Sequence, residues 1–336
     1  MANRKLNKYL NPGLDFNNIF FHLFINWMAI STSLIFNIPL LQTQEKFLPP
    51  QCIHIIQEDG EGRKFSFPSR LFYEPVKDEI YLIESGHSRI LIYTSDFFPI
   101  FTLDKDNGIL NPVCLSVDPE GYLFVGQSRS SAYPQARISV FNPCLKWKRD
   151  IHFAGFEGAE EFMPRNISLD EGGRIYLAGS NNIGIVILDQ KGKYLASLKP
   201  EDEFMGIKKK VTIYDVEIDI KGNIYLLSEE AGRVYVYDKN WKFLIKFGEK
   251  GGSSAKLSRP RGLEVDSIKN RAYVIDYMRH TANVYNAETG KYLFEFGGRG
   301  WGKGWFQFPT DICVDKKGNV LVADTFNDRV QVLEMR

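Results

Sequence analysis

Six copies of one pattern, spaced at nearly constant intervals, predict an all-β chain folded as a six-bladed β-propeller. In each copy a short apolar run ends in a polar turn, and a second apolar run follows. Asp118, Asp170, Asp219, Asp266 and Asp315 mark five of these turns, at steps of 52, 49, 47 and 49 residues. A sixth, earlier copy has Pro75-Val76-Lys77-Asp78 in its turn and Ile80-Tyr81-Leu82-Ile83 after it. Such a unit holds four short strands of period two. One small sheet cannot bury both of its faces, but sheets stacked around a ring can.

Residues 1–46 stand outside the repeat. Arg4, Lys5 and Lys8 make a basic start, and no Asp, Glu, Lys or Arg occurs from Phe16 to Gln44. The apolar part, residues 19–41, is interrupted by His22, Asn26, Ser31, Thr32, Ser33 and Asn37. As a helix it is long enough to cross a bilayer core of roughly 30 Å. Positive charge before it and Glu45 after it direct the N-terminus to the cytoplasm. The expectation is a chain anchored in the cell membrane through residues 19–41, with its propeller outside the cytoplasm, periplasmic or extracellular. The residues after the span, Leu40-Leu41-Gln42-Thr43-Gln44, lack a small-x-small cleavage pattern. That favours an uncleaved signal anchor over a cleaved signal peptide. A buried helix packed on the propeller is the remaining alternative.

Residues 47–336 form the propeller domain. Gln51-Cys52-Ile53-His54-Ile55-Ile56-Gln57, followed by a glycine-containing stretch up to Phe67-Pro68, matches in order and type the segment from Tyr292 to Phe308-Pro309. Residues 51–57 are therefore expected as a fourth, outer strand. The last copy holds only three strands, so this strand would complete it, close the ring and remove an open sheet edge. Proline opens five copies, at Pro68, Pro112, Pro164, Pro260 and Pro309, whereas the fourth reads Val211-Thr212-Ile213-Tyr214-Asp215. The middle copies carry insertions at residues 128–135, 154–162 and 199–210. Lys208-Lys209-Lys210 in the last of these is expected as a solvated loop.

In the final copy Pro309, Asp315, Gly318, Val322-Ala323-Asp324, Asn327 and Arg329 fall into a pattern that resembles the NHL repeat. The first copy keeps Arg89 but has Glu84 for the aspartate. The third has Gly184 for the arginine, and the fourth keeps Arg233 but has Ser228. The resemblance covers about residues 51–336 and implies a six-bladed propeller. Binding scaffolds and a few enzymes share that family's fold, so function has to come from the site. Some relatives of this fold are metal-dependent lyases or hydrolases with histidines and carboxylates around the channel, and that is the alternative function. Here the channel positions supply no histidine.

Net charge is +1, from 42 Lys and Arg against 41 Asp and Glu. There is no long basic run, which argues against a nucleic-acid partner. Cys114 and Cys313 fall on inner strands, Cys52 on an outer strand and Cys144 near a third-to-fourth-strand turn, too far apart to pair, so four free, mostly buried thiols are expected. None of the five histidines shares a metal-ligand spacing with another. No nucleophile elbow or phosphate-binding loop is present. Residues 296–302 are glycine-rich but connect strands, which predicts a mobile inter-blade loop. Asn166-Ile167-Ser168 fits a glycosylation sequon, but on a predicted inner strand it carries no weight.

Two places remain for function. Cys114, Asn166, Asp215, Gly262 and Asp311 each stand four residues before a turn aspartate, at the start of an innermost strand facing the channel. Arg70, Arg165 and Arg261 lie near them. No cofactor is expected; calcium or zinc at Asp215 and Asp311 is the weak metal alternative. The second place is the rim bearing the long, dissimilar connections, with His87, Arg129, Tyr133, Asn181, Tyr277, Met278, Arg279, His280, Trp301, Trp305 and Phe326. Aromatics, Met and Arg are the types enriched at interface cores. The opposite rim bears short charged turns. The sequence thus points to a non-catalytic binding or scaffold module for a protein or an extracellular polymer. Arg261, Tyr277, Arg279 and Trp301 are its expected rim contacts; Arg70, Arg165, Asn166, Asp215 and Asp311 line the channel mouth.

Overall fold

The structure, a computed structural model, describes residues 47–181, 183–204 and 206–336. The expected apolar helix and basic start fall in residues 1–46, outside the described residues. Among the described residues no helix is long and apolar enough to cross a membrane.

Residues 47–336 form six four-stranded antiparallel sheets, and in the first five the strands run in sequential order from the inside outward. Five blades span residues 68–103, 112–152, 164–198, 215–247 and 260–297. The sixth contains Asp311–Val314, Val320–Asp324 and Arg329–Glu334, and Gln51–Ile56 pairs antiparallel with the last of these as its outermost strand. Six clusters of buried apolar residues lie at the blade-to-blade contacts. One joins Tyr273, Ile275 and Val284 of the fifth blade to Ile312, Val320 and Val322 of the sixth. Another joins Ile56, Leu321, Val330 and Val332 of the sixth to Leu71, Ile80 and Leu82 of the first. Both faces of each inner strand are thus buried, which is why the second strands read as continuous apolar runs.

The turn aspartates are the local organisers. The Asp315 carboxylate accepts from the N–H groups of Lys317 (2.9 Å) and Asn319 (2.8 Å), and Gly318 takes the left-handed conformation at φ 79°. An Asx turn of this kind fixes a tight connection between short strands. In the first blade Glu74 does this work, accepting from Val76 and Lys77. The opening prolines have a second effect. In the first, second, third and fifth blades the pairing slips by one residue just after the proline, between Pro68 and Arg70, Pro112 and Cys114, Pro164 and Asn166, and Pro260 and Gly262. A bulge of this kind bends the strand and re-aims the side chain that follows.

Three details differ from the sequence expectation. Residues 201–210 are not an open loop but a β-hairpin, Glu201–Phe204 paired with Ile207–Lys210, although the three lysines are exposed as expected. All four cysteines are free, but Cys144 is exposed and Cys52 half-buried, so only Cys114 and Cys313 are buried. The glycine-rich connection after the fifth blade is packed by Trp305. A Cβ added to Gly298 would stand 2.6 Å from the Trp305 ring.

Candidate functional site

Equivalent pairing places Arg70, Cys114, Asn166, Asp215, Gly262 and Asp311 at one level around the channel. Each is opposite the residue preceding the end of its second strand, or that strand's penultimate position: Ile83, Gly126, Ala178, Leu227, Ile275 and Ala323. Arg70 is thus a member of the ring, not a neighbour of it. Its Nη1 lies 3.3 Å from Asp215 Oδ2 and 3.3 Å from Asp311 Oδ1, and its Nη2 donates to the Arg165 carbonyl at 3.1 Å. The carboxylates also reach forward. Asp215 accepts from the Leu263 N–H at 3.0 Å and Asp311 from the Leu71 N–H at 2.8 Å, each on the next blade. Asn166, 7% exposed, turns its side chain back to the N–H of Ile167.

One pleat deeper stand Glu217 and Glu264, two residues beyond Asp215 and Gly262, so they face the channel too. Burial is the main cause of every carboxyl shift here. It lifts Asp215 to about 7 against the pull of Arg70, and Glu264 to about 8 with Asp311 adding to it. Glu217 is pushed well above the usual range, by burial and then by Glu264, and Asp311 is raised despite Arg70. Burial works against the charge of Arg70, but Asp311 and Asp215 outweigh it and raise its pKa. The space beside Arg70, Asn166, Ser168 and Glu217 is about 20 Å³, room for about one water. Among the described residues no three His, Cys, Asp or Glu side chains form a group able to hold a metal ion. This recess therefore takes no more than about one water.

The mouth above is different. Arg165 stacks on Tyr214 with its guanidinium carbon 4.4 Å from the ring centre, and Arg261 stacks on Tyr277 at 3.9 Å while reaching within 5.7 Å of Tyr214. From Tyr277 a strip of rings continues across the sixth blade to the first. Tyr277 and Phe308 lie 4.9 Å apart, Phe308 and Phe326 5.0 Å, and Phe326 and Phe67 5.4 Å. Phe67 and Phe308 both adopt left-handed backbone, at φ 53° and 49°. Strained non-glycine residues of this kind cluster at functional sites. The His280 Nδ1 accepts from the Phe308 N–H at 2.9 Å, and burial lowers the pKa of this histidine. Phe67 and Phe326 are each 45% exposed, Met278 49% and Trp301 76%.

Of the rim contacts read from the sequence, Arg261 and Tyr277 meet at the mouth and Trp301 projects into solvent. Arg279 does not join them. It is held into the fifth blade by the Lys256 carbonyl (3.0 Å), Asn283 (3.3 Å) and Glu295 (2.8 Å), so it acts as a brace. Tyr214, Glu217, Glu264, Phe67 and Phe308 were not singled out. Alternation along the inner strands would have found the glutamates, and the paired Phe-Pro sequences at 67–68 and 308–309 would have found the rings. On the opposite rim a cleft of about 210 Å³ opens between the fourth and fifth blades. Its polar wall is largely turn residues such as Asp219, which is already occupied by the N–H groups of Lys221 and Asn223.

The NHL repeat model matches residues 306–333, in the sixth blade. The protein Brain tumor of Drosophila melanogaster is 32% identical over 122 residues, which are 35% of this chain and only 11% of that protein. Two solved structures share the fold. An auxiliary nutrient binding protein from Bacteroides ovatus superposes with a TM-score of 0.61 at 17% identity, covering 81% of this chain and 70% of its own. Virginiamycin B lyase from Staphylococcus aureus gives 0.56 at 12% identity, covering 84% of this chain and 99% of its own.

Proposed function

From the premise that this chain belongs to the NHL-repeat propellers, we propose that it is a non-catalytic binding scaffold that captures its partner on the rim of long connections. The observation that carries the reading is the continuous strip from Arg165 and Tyr214 through Arg261, Tyr277, Phe308 and Phe326 to Phe67. It exposes aromatic surface that spans several blades of a rigid ring, and binding residues favour loops on such scaffolds. The channel supports the same reading, because its two ring carboxylates already share one guanidinium. The name of the Bacteroides ovatus protein adds a binding precedent on this fold. The partner is a protein or an extracellular polymer.

The reading includes export and membrane tethering through residues 19–41, supported by the basic start and the charge-free stretch. Protease added to spheroplasts should cut the propeller without lysis; full protection until lysis would put it inside. Capture from native membranes tests the face. Alanine at Trp301, Tyr277 or Phe326 should weaken capture, with melting lowered by no more than a few degrees. If changes at Lys191, Lys193, Lys316 and Lys317 abolish capture while the rim changes do not, the partner sits on the other face.

A further inference from the structure

The channel mouth carries more positive charge than the structure neutralises. Arg165, Arg259 and Arg261 converge around Tyr214 and Tyr277, and Glu229 is the carboxylate among them. Arg259 Nε donates to Glu229, and Arg261 Nε stays 3.9 Å from it. The Arg261 Nε is buried and has no hydrogen-bond partner. Among the described residues the Arg165 guanidinium has no carboxylate partner at all. Burial lowers its pKa, and Arg70 and Arg261 nearby add to that effect against Tyr214 and Glu229. Arg70 itself is saturated by Asp215 and Asp311.

A guanidinium stacked face-on against a ring keeps its N–H fork free in its own plane, the arrangement that receives a carboxylate by two parallel hydrogen bonds. Here two such forks, on Arg165 and Arg261, flank one tyrosine. Because the ring below is filled by Asp215, Asp311 and the one guanidinium they share, an anion would rest at the mouth. The surface that continues from it is phenyl rings and Met278, which suits apolar side chains. Two surplus guanidiniums in a chain of net charge +1 are too few for a phosphate backbone.

We propose that the channel mouth binds an acidic peptide segment, its carboxylates held by Arg165 and Arg261 and its apolar side chains laid along Phe308, Phe326 and Phe67. This rests on the rim reading above and names the chemistry of the partner. The test uses the purified full chain and a fluorescein-labelled peptide in which glutamates flank a leucine–phenylalanine pair, followed by anisotropy. Binding is expected, weakening with salt. Arg165→Gln and Arg261→Gln should each reduce it by roughly tenfold to a hundredfold, Arg165→Lys by less, and Lys191→Gln not at all, with melting temperatures confirming folded protein. The glutamine version of the peptide should bind far more weakly. Equal binding of both peptides, indifference to the arginine changes, no binding at low salt, or stronger competition by oligouridylate or polygalacturonate would each overturn the proposal. If it fails while Trp301→Ala and Phe326→Ala still weaken capture from membranes, the rim reading survives and only the anionic chemistry is wrong.

Discussion

Arg70 of the first blade reaches across the channel to Asp215 of the fourth, Nη1 to Oδ2 at 3.3 Å, and the same nitrogen meets Asp311 of the sixth. With its Nη2 on the Arg165 carbonyl of the third, one guanidinium ties four blades together at the axis. Its side chain is only 10% exposed and Asp215 is fully buried. Replacing Arg70 by Met would leave two buried carboxylates without their cation, a loss of about 3–5 kcal/mol near neutral pH. Denaturant unfolding of Arg70→Met should show that loss at pH 8 and a smaller one at pH 5, where both carboxyls can take up protons. An equal loss at both pH values would show that the pairing is not what stabilises the axis.

The deeper carboxyls predict an unusual pH dependence. Glu264 is raised to about 8 from an ordinary 4.5, mainly by burial. A carboxyl raised in the folded state favours folding while protonated. Its contribution is complete below the unfolded value and is lost as pH rises through the folded one. This channel cluster should therefore destabilise the propeller between about pH 5 and pH 9. Glu264→Gln should raise the melting temperature most at pH 9, by less at pH 6, and leave it unchanged near pH 4. A variant that melts with the parent at all three values would mean that Glu264 stays solvated.

How far the sequence carried depends on which residues did the local work. The blades were legible because Asp118, Asp170, Asp219, Asp266 and Asp315 build their turns from their own side chains, so the period is written in residue type. Asp215 and Asp311 were legible as ring members through their fixed offset from those turns. Arg70 escaped that reading because Glu74 replaces the turn aspartate in the first blade, and the offset from Asp78 points elsewhere. The aromatic strip was half visible. Tyr277 and Phe326 stood out as rim residues, but the contact of Phe67 with Phe326 joins the two ends of the propeller, and no local pattern encodes it. Arg279 looked like a free rim arginine because its partners, Asn283 and Glu295, lie on other strands of its blade.

The inserted hairpin predicts a compensation. Ser228 stands where the sixth blade has Asp324, so Arg233 lacks the in-blade carboxylate that Arg329 finds at 2.7 Å. Asp202 of the hairpin supplies it, meeting Arg233 at 2.9 Å, Lys246 at 2.8 Å and the Tyr235 hydroxyl at 2.6 Å. Asp202→Ala should cost about 2 kcal/mol, discounted for the part-exposed Arg233 and Lys246. Adding Ser228→Asp should recover part of that loss in thermal melts. If the double variant is no better than Asp202→Ala, the two positions are not interchangeable.

The last prediction concerns Gln51–Ile56. Its backbone covers the edge of Arg329–Glu334, with Ile56 opposite Val330 and Cys52 opposite Leu333. Ile56 is 5% exposed, in the cluster that joins the sixth blade to the first. Just beyond the strand, Asp59 reaches back to Arg89 of the first blade at 2.6 Å. A chain beginning at Lys64 would lose the edge strand, this apolar contact and the Asp59 carboxylate together, exposing an unpaired strand and a buried charge. A chain beginning at Phe47 keeps all three. The shorter chain should lose its cooperative melting transition and tend to aggregate, while the longer one melts as the parent does. Equal melting temperatures for the two would show that the ring holds without its N-terminal strand.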